Sequence, residues 1–253
     1  MTDSATPCAA CRDPQPLFPF TMAFQPIVDV DEARIVGHEA LVRGPAGEGA
    51  GAVLGQLTAE NIYTFDQACR VKAIELAARL GLDGDLGINF LPNAVYEPRA
   101  CIRRTLDAAA RTGFPLHRLT FEFVENEHVA DAAHTLRIIE EYKRQGFKVA
   151  LDDFGTGYSN LWQIAELKPD ILKIDRRLVA NCDGNPRMVS VLRGVVGMAE
   201  ETGTRLVAEG VERIEEVRTL RAVGIRLMQG YHFAKPRFEG VVGRHEIAWP
   251  AAA

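Results

Sequence analysis

Short apolar, β-branched runs alternate along this chain with longer amphipathic stretches, and this alternation limits the folds open to it. The runs predict strands at Met22–Val30, Ile35–Val42, Leu86–Phe90, Leu119–Val124, Lys148–Asp152, Ile171–Ile174, Arg205–Ala208 and Ile225–Met228. The stretches between them predict helices at Phe65–Leu80, Pro98–Arg111, Glu127–Gln145, Asn185–Glu201 and Ile214–Ala222. Strand followed by helix, repeated along one chain, indicates parallel strands joined by right-handed crossovers.

The number of predicted strands favours a closed barrel over an open sheet, since an α/β barrel typically takes about 250 residues and the chain has 253. Asp31–Ala33 alone joins the first two strands, which leaves no room for a crossover helix. We therefore expect an α/β fold, a TIM-like (β/α)8 barrel with an antiparallel first strand. Residues 1–20 are predicted to form an irregular arm, residues 21–245 the barrel and residues 246–253 a C-terminal tail.

Charge and composition argue against several classes of protein. The net charge is -5 and there is no Lys/Arg run, which argues against duplex DNA or RNA as a partner. The first residues lack an apolar stretch, and no run approaches the ~18 apolar residues of a membrane span. Five scattered cysteines fit reduced thiols, and the sequence predicts a cytoplasmic protein. The CxxC pair Cys8/Cys11 also leaves a zinc or redox role open.

Polar side chains lie near the carboxyl end of most of the predicted strands. They are Glu39, Asn89, Glu122, Asp152 with Asp153, Lys173, Glu209 and Gln229. In an α/β barrel the carboxyl ends of the parallel strands meet at one rim, where active sites form. Each residue alone could equally be a solvated loop residue or a helix cap. Glu39, Glu122 and Asp152 are embedded among apolar residues, however, and a buried carboxylate is costly without a partner.

Five carboxylates at one rim would repel each other and any phosphate, unless cations balance them. Two divalent cations together with Lys173 would do so. Oxygen ligands without histidine or thiolate favour Mg²⁺ or Mn²⁺ over zinc. The consecutive acids Asp152 and Asp153 suit two metals about 3.5–4 Å apart that share one carboxylate. The pattern predicts a two-metal centre for phosphate-ester hydrolysis, with Asp153–Asn160 as a mobile loop or an ordinary turn beside it.

Six motifs follow one another between about residue 20 and residue 240. They are Gln25-Pro26-Ile27, Glu39-Ala40-Leu41-Val42-Arg43, the Asp152–Ser159 loop, Leu172-Lys173-Ile174-Asp175, Ala208-Glu209-Gly210-Val211-Glu212 and Gln229-Gly230-Tyr231 with Pro236. This ordered set resembles the EAL family of cyclic di-GMP phosphodiesterases. A Glu-Ala-Leu tripeptide alone has no specificity, whereas the ordered set is highly specific. The resemblance implies an EAL-type barrel that hydrolyses cyclic di-GMP to linear pGpG in bacterial second-messenger signalling.

The resemblance also implies a set of metal ligands. The first metal would be held by Glu39, Asn89, Glu122 and Asp152, and the second by Asp152, Asp153 and Glu209. Both ions would be Mg²⁺ or Mn²⁺, two per site. Ca²⁺ is expected to occupy the site and inhibit, because its larger radius and looser geometry misplace the water.

The resemblance also implies roles in catalysis, in substrate binding and in positioning the Asp152–Ser159 loop. Lys173 would orient the attacking water or the phosphate, and Gln229 would position Glu209 or the water. Arg43 would hold the non-scissile phosphate. Additional substrate contacts would come from Gln25, Leu41 and Tyr231, and loop positioning from Glu125, Gly155 and Thr156. The chain departs from many members at Leu91, where they place a serine two residues after the asparagine.

Three functions are open at this point. The first is an active hydrolase. The second is a non-catalytic cyclic di-GMP-binding or protein-docking EAL module; such relatives usually lose metal ligands, which this chain retains. The third, an unrelated metal-dependent barrel such as an enolase-type lyase, lacks a signature of its own here. The resemblance further implies a homodimer, and a regulatory protein partner is possible.

Overall fold

The computed structural model describes residues 18–91, 95, 97–124, 132–156 and 161–250. The Cys8/Cys11 pair, Glu125 and the Gly157–Asn160 part of the predicted loop lie outside these ranges. Within them no helix has the length and apolar character needed to cross a membrane.

Strands and helices alternate along the described part of the chain. The strands are β1 (Thr21–Asp29), β2 (Arg34–Arg43), β3 (Asp85–Phe90), β4 (Leu119–Val124), β5 (Lys148–Phe154), β6 (Ile171–Ile174), β7 (Arg205–Ala208), β8 (Leu227–Met228) and β9 (Arg237–Phe238). The helices are α1 (Ala50–Leu54), α2 (Ile62–Arg79), α3 (Pro98–Cys101), α4 (Arg103–Thr112), α5 (Ala132–Arg144), α6 (Leu161–Leu167), α7 (Arg176–Val179), α8 (Pro186–Thr202) and α9 (Ile214–Ala222).

Eight of these strands close into the predicted barrel. From β2 to β8 each strand pairs parallel with the next, and β1 closes the ring by pairing antiparallel with both β2 and β8. The antiparallel hairpin expected from the short Asp31–Ala33 connection is therefore confirmed. Strand β8 is only two residues long and pairs with the last two residues of β1, Val28 and Asp29. Strand β9 pairs with Ala23 and Phe24 in the first half of β1, on the same side as β8.

The structure differs from the sequence-based prediction mainly in its short elements. Helices α1, α6 and α7 and strand β9 were not predicted, because segments of two to seven residues carry little periodicity. The single helix predicted at Pro98–Arg111 is two helices, α3 and α4, with Ile102 between them. Glu97 caps α3 by accepting hydrogen bonds from the backbone N–H groups of Arg99 and Ala100.

The inward-facing side chains of the barrel change from apolar to polar between one inward position of a strand and the next, two residues along. A small apolar cluster fills the lower interior and consists of Ala150, Ile171 and Val207, with Ile27 and Leu227 packed against it. Side chains two residues apart on a strand point to the same face. The next inward positions are therefore Asp152, Lys173, Glu209, Gln25 and Gln229, toward the carboxyl-end rim. A separate, much larger apolar core lies between the strands and the helices.

Candidate active site

Each of the eight barrel strands places at least one polar side chain at the rim of the interior, either within the strand or directly after it. In strand order these are Gln25, Glu39, Asn89, Glu122, Asp152, Lys173, Glu209 and Gln229. Residues spread over more than 200 positions of sequence thus meet in one place. The predicted residues of the rim are brought together by the structure, and Gln25 of β1 joins them.

Glu39 is held by two side-chain amides. The Asn89 Nδ2 group donates to Glu39 Oε1 at 2.9 Å, and Gln229 Nε2 donates to Glu39 Oε2 at 2.7 Å. Gln229 Nε2 also lies 3.2 Å from Gln25 Oε1, while Gln25 Nε2 donates to the Ala234 carbonyl at 3.1 Å. These bonds fix the orientation of the Glu39 carboxylate and tie the side chains of Asn89 and Gln229 to it.

Lys173 lies at the centre of the acidic residues and is 1% exposed. Its Nζ atom is 2.6 Å from Glu122, 2.7 Å from Glu209, 3.3 Å from Asp152 and 3.5 Å from Glu39. Burial by itself would lower the pKa of Lys173, but the four carboxylates raise that pKa well above its usual value. In the metal-free protein Lys173 therefore carries a positive charge.

Asp152 and Asp153 reach the same rim although they are consecutive in a strand. In a regular strand their side chains would point to opposite faces. The pairing of β5 with β6 is irregular between Leu151 and Phe154, and Asp153 has a φ of 56°. This left-handed residue interrupts the alternation, as a bulge does. The Asp153 N–H donates to Asp152 Oδ1 at 2.9 Å, which ties the two acids together.

The carboxylates form two groups that share one member. Glu39, Glu122 and Asp152 offer oxygens within 4.8 Å of one another, and so do Asp152, Asp153 and Glu209. Neither group contains a histidine or a cysteine, so the donor set suits a hard cation such as Mg²⁺ or Mn²⁺. The geometry fits the ligand sets that the resemblance implies, with Asp152 between the two groups. The individual roles stay predictions.

Burial and mutual repulsion raise the pKa of three carboxylic acids in the site. Burial is the largest cause for Glu122, whose pKa is raised to about 8 although Lys173 opposes the shift. Burial likewise raises the pKa of Glu209 well above its usual value. For Asp153 burial and the neighbouring Asp152 raise the pKa to about 6. At neutral pH the metal-free folded protein therefore keeps protons that the unfolded chain would lose. The free energy of unfolding accordingly falls as the pH rises from the usual carboxyl pKa through these raised values.

Metal binding is therefore expected to release protons at pH 7. A carboxylic acid must ionise to ligate a cation, and Glu122 is largely protonated below its pKa of about 8. Titration calorimetry of Mn²⁺ into the metal-free protein, in buffers of different ionisation enthalpy, measures the protons released. We expect a clear buffer dependence and an apparent affinity that rises with pH from 6 to 8. Glu122→Gln should release fewer protons, and a buffer-independent enthalpy would contradict the prediction.

Gly87 makes room for a predicted metal ligand and was missed by reasoning from the sequence. A Cβ atom at this position would lie 2.0 Å from Glu122 Oε1. Glu122 cannot easily move aside, because it is 2% exposed and bonded to Lys173. The available signal was a glycine inside a strand, which often marks a close approach of another group.

Gly87→Ala is expected to displace the Glu122 carboxylate and to weaken Mn²⁺ binding by about 10-fold or more, as when groups that orient metal ligands are lost. Electron paramagnetic resonance of bound Mn²⁺ measures the affinity. Gly49→Ala is the matched control, since a Cβ there meets nothing within 4 Å. Wild-type Mn²⁺ affinity in Gly87→Ala would show that the glycine is not required.

A cavity of about 310 Å³ opens directly over the acidic site. Its lining combines site residues with others from the same rim: Gln25, Glu39, Asp175, Arg176, Glu209, Gly210, Glu212, Gln229, Gly230 and Tyr231. Three charged residues of this lining, Asp175, Arg176 and Glu212, were not assigned a role from the sequence. The motifs that carry Lys173 and Glu209 also contain Asp175 and Glu212, which was the available signal.

Four other predicted residues are not part of the cavity lining. Leu41 and Arg43 are half-buried on β2 and are not part of the lining described above, and Arg43 Nη1 donates to its neighbour's carbonyl, Val42 O, at 2.7 Å. Gly155 adopts a φ of 107°, and Thr156 Oγ1 donates to the Asp153 carbonyl at 3.0 Å. Thr156 thus ties the first residues of the predicted loop to Asp153, a predicted metal ligand.

The fold and the site define the class of this protein: an α/β barrel with two groups of acidic side chains at its carboxyl-end rim. Residues 19–236 match the family described as "EAL domain". The chain belongs to the EAL-domain family. The resemblance drawn from the ordered motifs is thereby confirmed, and so is the barrel fold.

Curated relatives and solved structures agree with this assignment. The Blue light- and temperature-regulated antirepressor BluF of Escherichia coli is 28% identical over 90% of this chain and 56% of its own. The Cyclic di-GMP phosphodiesterase PA2567 of Pseudomonas aeruginosa is 30% identical over 86% of this chain and 38% of its own. The chain thus spans about half or less of the length of these relatives.

Among solved structures, a standalone versatile EAL protein from Vibrio cholerae in its c-di-GMP-bound form superposes with a TM-score of 0.88 at 48% identity, covering 90% of this chain and 97% of its own. Klebsiella pneumoniae BlrP1, as a manganese/cy-diGMP complex, gives a TM-score of 0.87 at 32% identity, covering 95% of this chain and 61% of its own.

Proposed function

We propose that this protein is a cyclic di-GMP-specific phosphodiesterase that hydrolyses its substrate to linear pGpG with two Mg²⁺ or Mn²⁺ ions. The observation that carries the proposal is the pair of carboxylate groups sharing Asp152 beneath an open cavity. Support also comes from the relative named as a cyclic di-GMP phosphodiesterase and from two similar structures solved with the dinucleotide.

The chain's own residues would act by holding metals, fixing water and binding phosphate. Glu39, Asn89, Glu122 and Asp152 would hold one cation, and Asp152, Asp153 and Glu209 the other. When bound, the two ions would activate water and neutralise charge on the scissile phosphate.

The Lys173 ammonium lies beside four of the acids, and a positive charge there would stabilise negative charge that develops during phosphate transfer. Gln229 orients Glu39 by direct hydrogen bonding and reaches Gln25 on the neighbouring strand.

A non-catalytic cyclic di-GMP-binding or docking module is the second candidate. One observation favours it: a similar protein over 90% of this chain is named an antirepressor rather than a hydrolase. The complete set of acidic residues in the site favours the hydrolase, because a binding module needs no paired metal groups. Homodimer formation, a regulatory protein partner and a cytoplasmic location stay predictions.

The decisive experiment incubates the protein with cyclic di-GMP and Mg²⁺ or Mn²⁺ and separates the products by chromatography. We expect linear pGpG with either ion and no turnover with Ca²⁺, which would bind in competition. Glu39→Ala should still bind the dinucleotide and not cleave it, whereas Glu201→Ala, an exposed acid on α8, should behave as wild type. Wild-type protein that binds the dinucleotide and never cleaves it would instead establish the second candidate.

A further inference from the structure

Arg70 on α2 is completely buried and lies directly behind the wall of the barrel. Its Nη2 atom is 2.5 Å from Asp66 Oδ2, and its Nη1 atom donates to the Tyr142 hydroxyl of α5 at 2.7 Å. The guanidinium also lies over the rings of Phe90 and Phe121, at 5.4 and 5.3 Å from their centroids. A buried charge persists only with partners of this kind, so Asp66, Arg70 and Tyr142 form a connected polar network inside an apolar layer.

The network touches the outer face of the two strands whose inner faces carry predicted metal ligands. Phe90 follows Asn89 on β3, and Phe121 precedes Glu122 on β4. Asn89 and Glu122 are themselves paired across the two strands. Because neighbouring side chains on a strand point to opposite faces, one wall of the barrel separates Arg70 from Asn89 and Glu122.

A directional hydrogen bond connects the network to the end of β3. Asp66 Oδ1 accepts from the backbone N–H of Leu91 at 3.1 Å, while the other Asp66 oxygen contacts Arg70. The ladder between β3 and β4 ends at the Phe90 pair, so this carboxylate supplies an acceptor just beyond the strand. Arg70 fixes Asp66, Tyr142 fixes Arg70, and Asp66 fixes the backbone two residues after Asn89.

Stability alone does not explain a charged network at this position. Well-packed apolar side chains of similar volume often stabilise a protein as well as a buried ion pair. What apolar side chains cannot supply is an acceptor for the Leu91 N–H. We propose that Asp66, Arg70 and Tyr142 are positioning residues that hold the end of β3, and with it Asn89 and the paired Glu122, where these two residues would ligate the first cation. The inference rests on the proposed function, since it concerns the same metal site.

The first test uses metal-free wild-type protein and does not depend on activity. Amide hydrogen exchange at Leu91, followed by NMR, reports whether the bond to Asp66 forms before any cation binds. We expect Leu91 to be strongly protected without metal. Exchange at the rate of an unprotected amide would overturn the proposal.

The second test replaces the network by an apolar one of similar volume, Asp66→Leu with Arg70→Met and Tyr142→Phe. We expect an unfolding temperature equal to or above that of wild type, loss of Leu91 protection, and Mn²⁺ affinity lower by about 10- to 100-fold. A matched control removes another ion pair, Lys148→Met with Asp85→Leu, whose Nζ to Oδ2 distance is 2.7 Å; its Mn²⁺ affinity should equal that of wild type.

The outcomes separate this inference from the proposed function. If wild type binds Mn²⁺ and the triple variant binds it equally well, the positioning role is wrong. If wild type binds no Mn²⁺, the proposed function fails instead. Should the triple variant not fold, Tyr142→Phe gives the same decision: we expect partial loss of Leu91 protection and about threefold weaker Mn²⁺ binding, and no change in either would overturn the network.

Discussion

Asp152→Asn is expected to weaken the binding of both cations and to lower the rate of hydrolysis by about 10³-fold or more, because both metals act on the same phosphate. Asp152 belongs to both carboxylate groups found among the described residues, so its charge would serve two ions at once. It also lies 3.3 Å from Lys173 and accepts the Asp153 N–H. The amide of asparagine keeps the size of the side chain and removes the shared negative charge.

Two neighbouring variants serve as matched controls for this prediction. Asp153→Asn changes only the second group, and Glu122→Gln changes only the first. Each should leave one Mn²⁺ bound with near wild-type affinity, whereas Asp152→Asn should leave none. Electron paramagnetic resonance counts bound Mn²⁺, and turnover is measured on the same samples. Two ions bound at wild-type affinity in Asp152→Asn would contradict a shared ligand.

The fold could be predicted from the sequence because its strongest signals are local. Alternating strand and helix patterns indicated the barrel, and the short link at Asp31–Ala33 indicated the antiparallel hairpin that the structure confirms. The short strands β8 and β9 show the limit of this reasoning. Two-residue strands have no period of their own, and β9 pairs with β1 only because β8 leaves half of that strand without a partner on this side.

The acids of the site could be predicted from their positions at strand ends, whereas their geometry could not. Regular alternation would have placed Asp152 and Asp153 on opposite faces, and the left-handed φ of 56° at Asp153 that prevents this has no signature in the sequence. Gly87 acts through the space that it leaves for a side chain 35 residues away. Arg70 read as an ordinary helix residue, since only packing reveals that it is buried behind the site.

The sequence predicts that Lys173 orients water or phosphate. Its contacts in the structure indicate that Lys173 also stabilises the folded protein. The ammonium group is within 3.5 Å of four carboxyl groups, so it is the counter-charge of those that are ionised before metal binds. Removal of one partner of a buried ion pair leaves the other charge uncompensated, which typically costs about 3–5 kcal/mol. Lys148 provides a contrast, because its pair with Asp85 is partly exposed, with side-chain exposures of 29% and 26%.

Lys173→Met is therefore expected to lower the free energy of unfolding of the metal-free protein by about 3–5 kcal/mol, against about 0–1 kcal/mol for Lys148→Met. The deficit should grow from pH 5 to pH 8, because the variant's carboxyl groups hold protons that the unfolded chain has lost. Mn²⁺ should restore much of the stability by supplying positive charge. Hydrolysis should nevertheless stay about 10²–10³-fold below wild type, since the fixed ammonium is gone.

Urea unfolding with and without Mn²⁺, combined with turnover assays, measures both effects. Equal destabilisation by the two lysine substitutions, or wild-type turnover in Lys173→Met, would show that Lys173 has neither role.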